Sequence, residues 1–235
     1  MTEENDSAAV QDAAQDADRP SDAERVATLF TRSGAAEAGG FRFARWGRAL
    51  APAVFGTDEQ GQAIMTAGFE EAAEIAGVEI VDDDPDFEKN LLVFFCSDWS
   101  ELAQTPGLGR LIPDLEALIA KLAEAGANQY RIFSFDAQGG IQLAIVLLRY
   151  DADLSSVSPQ ALALNQATQT LLLWSDAAFA AESPTALESS GRGVLKPWYA
   201  ALLKAAYAED VPVASAESSA AETIAKAMVP EQAAA

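Results

Sequence analysis

Histidine is missing from all 235 residues. That absence removes the commonest zinc ligand and the commonest general base at neutral pH. Mechanisms that need Ser-His-Asp or Cys-His partners are excluded outright. Cysteine occurs once, as Cys96, so no disulfide can form within the chain. Its thiol lies in the apolar run LLVFFCS, Leu91 to Ser97, where it is expected to pack as a small hydrophobe. Basic residues are few, 15 against 36 acids, which gives a formal net charge of -21. A chain so charged repels phosphate backbones and anionic lipid surfaces, so neither nucleic acid nor a membrane is expected as a partner. No apolar run approaches the roughly 20 residues that cross a bilayer. The opening stretch, MTEENDSAAVQDAAQDADRP, is acidic and has no basic, apolar export signal. A cytoplasmic protein is expected.

Half of the residues are hydrophobic, enough for a sizeable core. Residues 1–40 read as an acidic tail and a linker: large apolar groups are scarce to about residue 24, and TRSGAAEAGG, Thr31 to Gly40, is small and glycine-rich. Between them, ERVATLF, Glu24 to Phe30, has the length of a short helix that docks locally. A single domain over 41–210 is expected, then a weak helix and a frayed end over 211–235. Strands are expected at 41–55, 78–82, 91–97, 129–136 and 141–150, from alternating or continuous apolar residues. The last two flank DAQGG, a hairpin turn. Helices are expected over 58–76, with Thr57 and Gln60 at capping-box spacing and Gly77 as the stop, and over 113–125. Asp98 and Glu101 are placed to cap a short helix through Gln104. Further helices are expected over 159–181, 197–209 and 218–228. The fold class is therefore α+β: a mixed sheet of about five strands packed with helices, followed by a helical C-terminal part.

One stretch of the expected 159–181 helix is NQATQTLLLWSD, Asn165 to Asp176. Asn165 and Gln169 fall one turn apart on the same side, with Gln166 beside the first. Zinc proteases hold His, Glu and His at this spacing on a helix. With the order of strands and helices before it, the layout resembles the zincin-like metalloprotease superfamily without its metal ligands. The chain is also similar to bacterial proteins of unknown function over roughly 40–228, through an early tryptophan and the late LNQATQ and LLLWSD segments. The zincin-like resemblance implies a degenerate site at Asn165, Gln166 and Gln169. Leu172 stands where one branch has its helix-ending glycine. Ser175 fills the third-ligand slot, and Asp176 follows one residue late. Neutral amides are poor zinc ligands, and Gln166 cannot act as a base, so no metal, cofactor or catalytic residue is expected there.

RFARWGR, Arg42 to Arg48, concentrates three of the fifteen basic residues. In an extended segment Arg42, Trp46 and Arg48 can share one face and bind a small anionic ligand. The bland alternative is pairing with the chain's own acids. A calcium or magnesium site in DDDPDFE, Asp82 to Glu88, lacks the glycine and spacing of an EF-hand loop. The expectation is a non-enzymatic interaction or accessory protein that binds a protein partner, aided by electrostatic attraction from its tail. The alternative is a histidine-free hydrolase using carboxylates and a divalent ion, with Asp83, Asp84, Asp98 and Asp176 converging in one cleft.

Overall fold

A computed structural model describes residues 20–33, 40–81, 87–189 and 191–228. Its principal sheet has four strands: β4 (Pro52–Phe55), β5 (Leu91–Cys96), β6 (Gln129–Phe135) and β7 (Ile141–Arg149). Their order is β4-β5-β7-β6. β4, β5 and β7 run parallel, and β6 returns antiparallel to β7 through the DAQGG turn. The sheet is mixed and the class is α+β.

Both faces of the central strands are covered, which is why LLVFFC is a continuous apolar run rather than an alternating one. Leu91 and Val93 face one core, and Leu92, Phe94 and Cys96 face the other. The first core is roofed by α2 (Glu59–Ala76), α6 (Pro159–Leu171) and α7 (Pro197–Ala206). The second is roofed by a 3-10 helix (Trp99–Gln104), α3 (Leu108–Leu111) and α4 (Leu115–Glu124). The closest packing is α2 on α6. A Cβ at Gly68 would sit 2.7 Å from the Ala163 Cβ, so only glycine allows the two backbones this near.

Several expected boundaries move. The 41–55 strand is cut into β2 (Gly40–Phe41), β3 (Phe43–Ala44) and β4. β2 pairs with β1 (Thr31–Arg32), and β3 pairs with the distant β10 (Ala214–Ser215); β4 alone joins the sheet, while the short α5 (Ala152–Ser155) follows β7 and β8 (Thr185–Leu187) pairs with β9 (Gly193–Leu195). The expected strand at 78–82 is reduced to one bridge, Ile80 to Leu50. On the opposite edge of the same segment the buried Asn90 side chain accepts from the Ala51 N–H at 2.8 Å and donates to the Ala49 carbonyl at 2.9 Å. The capping-box expectation at Thr57 shifts by one: Asp58 is the cap, accepting from the Gly61 N–H at 2.8 Å. Gly77 ends the helix in the left-handed conformation, as the sequence placed it.

The tail region contributes a core element. α1 (Asp22–Phe30) opens on a capping box between Ser21 and Glu24 and buries Val26, Leu29 and Phe30. The Phe30 ring stacks on Trp174, with centroids 5.2 Å apart. α8 (Ser219–Ala227) packs beside α1 and buries Ala220, Ala221 and Ile224, so this last helix is built into the main core. Residues 1–19, 34–39, 82–86, 190 and 229–235 lie outside the described residues, and the tail, linker and loop expectations there lie outside them too.

Candidate functional site

The Asn165 to Asp176 stretch divides at Leu171. Up to that point it is α6, and beyond it the chain is extended: Leu172 bridges Arg45, and the Leu173 N–H donates to the Ala44 carbonyl at 2.9 Å. The expected helix to 181 stops here because donors from elsewhere take its last carbonyls. The Trp174 indole reaches the Thr168 oxygen at 3.1 Å, the Trp46 indole reaches Thr170 at 2.9 Å, and the Tyr207 hydroxyl reaches Leu171 at 2.6 Å. Burial holds the Tyr207 phenol protonated well above the ordinary tyrosine range, against the smaller opposing pull of the Trp46 N–H and the Arg45 guanidinium.

The three amides of α6 are engaged inside the protein. Gln169 donates to the Asn165 side-chain oxygen, and Asn165 donates to the Thr185 hydroxyl at 3.4 Å. These two share a side, at the spacing the sequence indicated. Gln166 is buried and turns to β6, where its oxygen accepts from Arg131 and its NH2 donates to Gln129 at 3.1 Å. Arg131 also donates to Gln129, at 3.2 Å, while its Nε is buried without a partner. Burial lowers the Arg131 guanidinium to about 10. A buried cation thus leans on two neutral amides, a bond the sequence offered no means of finding.

Arg42, Trp46 and Arg48 do not form one ligand face. Trp46 is fully buried and spends its indole N–H on α6, so it cannot stack on a ligand. Arg48 lies over the Phe87 ring at 5.5 Å, and Arg42 over Phe135 at 5.0 Å. The irregular backbone after β3 breaks the alternation that a single strand would have kept. Of the four proposed carboxylates, the two that are described, Asp98 and Asp176, are engaged separately. Asp98 caps the 3-10 helix, accepting from the Ser100 hydroxyl and N–H, and these bonds hold its carboxyl below the ordinary range. Asp176 is exposed and faces Arg32 at 3.9 Å. Asp83 and Asp84 lie outside the described residues. Among the described residues no three His, Cys, Asp or Glu side chains stand together in a way that could hold a metal ion. Burial pushes the Cys96 thiol up to about 11, and its Sγ–H donates to the Leu148 carbonyl at 3.6 Å; it is a core thiol.

What the fold does build around Arg42 is a groove of about 730 Å³. The β1–β2 pair and the β3–β10 pair form its walls, with Arg32, Arg42, Gly139 and Ser215 among the lining residues. Arg32 enters from β1, just after α1; its Nε is buried without a hydrogen-bond partner, while its outer nitrogen faces Asp176 at 3.9 Å. Among the described residues two arginines and no acid line this groove, in a chain of 36 acids and 15 bases. Arg32 sits in what reads as linker, and β10 is some 170 residues from β3, so only the long-range pairing marks the groove.

Comparison with protein-family models, with curated proteins and with solved structures finds no match to the chain. Among the described residues no helix is long and apolar enough to cross a membrane.

Proposed function

We propose that the protein is a non-enzymatic interaction protein, an accessory factor that docks a protein partner through the arginine-lined groove. The observation that supports this reading is a local excess of positive charge: among the described residues the groove is lined by Arg32 and Arg42 and by no acid, with Asp176 facing Arg32 from outside the lining at 3.9 Å, on a chain of net charge -21. Guanidinium groups suit carboxylates by geometry as well as charge. The occupant is therefore a short acidic segment. Because the whole chain repels acidic proteins at long range, the rest of the partner is neutral or basic. The extended backbone of β2, β3 and β10 around the groove favours an extended segment over a helix.

The test is affinity capture from native extract with three forms of the chain: complete, lacking residues 1–19, and carrying Arg32→Ala with Arg42→Ala. The truncation stops at 19 because Ser21 and Glu24 cap α1. The same partner from the first two forms, and its loss from the third, supports docking in the groove. Recovery of that partner by all three removes the groove from the reading. Loss on truncation alone assigns the docking to the acidic segment instead.

A further inference from the structure

We infer that the protein also has a binding site for a small, uncharged, largely apolar molecule, in the crevice where the parallel strands end. The chain leaves β4 toward α2 on the first face of the sheet and leaves the adjacent β5 toward the 3-10 helix on the second face. Neighbouring strand ends whose connections part in opposite directions leave a gap between them. In open α/β sheets that gap, outside the carboxyl ends of the strands, is where ligands sit. The gap here is a cavity of about 200 Å³.

Its construction is specific. Phe95, Cys96 and Ser97 from the end of β5 form its middle, and Gly56 and Thr57 follow β4. Ile64 and Met65 of α2 and Leu162 of α6 make an apolar wall. Gly56 has φ +78, and a Cβ there would stand 2.0 Å from the Phe95 carbonyl oxygen. No other residue lets the two strand ends approach this closely while the chain turns away. At the mouth, Tyr150 is 45% exposed, and its ring meets Phe95 edge to face with centroids 6.4 Å apart.

The lining selects the chemistry. None of its residues carries a charge, and the surrounding protein is strongly acidic, so a carboxylate or phosphate has no counterion there. Ile64, Met65, Phe95 and Leu162 offer apolar contact, and Thr57, Ser97 and Tyr150 contribute hydroxyl groups to the lining. A cavity of about 150 Å³ holds a benzene ring. The volume here suits one ring, or a short chain, bearing a single neutral polar end.

The probe is 4-fluorophenol, followed by fluorine NMR relaxation on the complete protein, with p-cresol as competitor. Binding with a dissociation constant of about 1 mM or tighter is expected for a ligand of this size. Ile64→Trp fills the cavity from its half-buried wall, and Ser97→Trp blocks it from the exposed rim without touching the core. Each should weaken binding by about tenfold or more, as should replacing the probe with the charged 4-fluorobenzoate. Arg32→Ala with Arg42→Ala should leave it unchanged. No relaxation effect at probe concentrations of several millimolar overturns the site. Equal binding by a folded Ser97→Trp protein, or preference for the benzoate, overturns it as well.

Discussion

The indole N–H of Trp46 donates to the carbonyl oxygen of Thr170 at 2.9 Å, across 124 residues of sequence. Both groups are buried, and the bond joins the strand segment at the start of the fold to the last turn of α6. It turns a tryptophan that reads as a ligand platform into a helix cap.

Trp46→Phe keeps most of the ring and strands the Thr170 carbonyl. The expected loss is about 1 to 3 kcal/mol, the cost of a buried acceptor without its donor. Urea unfolding measures it. A change below about 0.5 kcal/mol would show that water reaches this carbonyl.

Gly68→Ala sets two effects against each other. Alanine favours a helix interior over glycine by about 1 kcal/mol. The added methyl, however, would lie 2.7 Å from the Ala163 Cβ and as close to its carbonyl carbon, where backbone must move. Overpacking of about 1 to 3 kcal/mol wins. A lower melting temperature is expected, and a higher one would mean that α2 and α6 separate without penalty.

Gln166→Leu removes the acceptor facing the buried Arg131 guanidinium. Loss of a charge-assisted bond at such a site costs about 2 to 3 kcal/mol. Adding Arg131→Met to Gln166→Leu should restore at least half of that, because the stranded charge goes with it. A double variant weaker than the single one would assign Arg131 a partner beyond the two glutamines.

Alkaline pH should destabilise the protein through two raised groups. Cys96, raised to about 11 from an ordinary 9.0, and Tyr207, raised well above 10.0, keep their protons in the folded chain. Their contributions are fully present below the unfolded values. The unfolded chain releases these protons first as pH rises, so stability falls from about pH 9 upward. Tyr207→Phe should flatten the part of the slope above about pH 10. Unfolding series at successive pH values read both, and an unchanged slope in Tyr207→Phe would show that the phenol titrates normally.

Ending the chain after residue 217 removes α8, and with it Ile224, which is fully buried. Loss of that side chain alone costs about 2 to 5 kcal/mol. The shortened protein should bind a dye for exposed apolar surface and melt early. A chain ending at 228 should match the complete one. Equal stability for the 217 and 228 forms would return α8 to the periphery.

The elements with local signals were legible. DAQGG between two apolar runs specified the β6–β7 hairpin, Gly77 ended α2, and Asp98 with Glu101 capped the 3-10 helix. Continuous apolar residues in Leu91–Cys96 announced a strand covered on both faces. The candidate sites were legible only in part. Arg42 was singled out and does line a groove, whereas its companions Trp46 and Arg48 go elsewhere. Residue types carry intrinsic chemistry, and spacing carries local geometry, but neither tells which distant backbone a side chain will meet.

From its sequence alone this protein was committed to an α+β class, to chemistry without imidazole and to a strongly negative field, because composition and short-range periodicity act through the chain itself. The tertiary structure alone decided where α6 stops, which arginine is buried, that β3 meets β10, and that the ends of β4 and β5 open a crevice. Those outcomes depend on contacts between segments far apart in the chain, which become favourable only when the whole core closes and water leaves it.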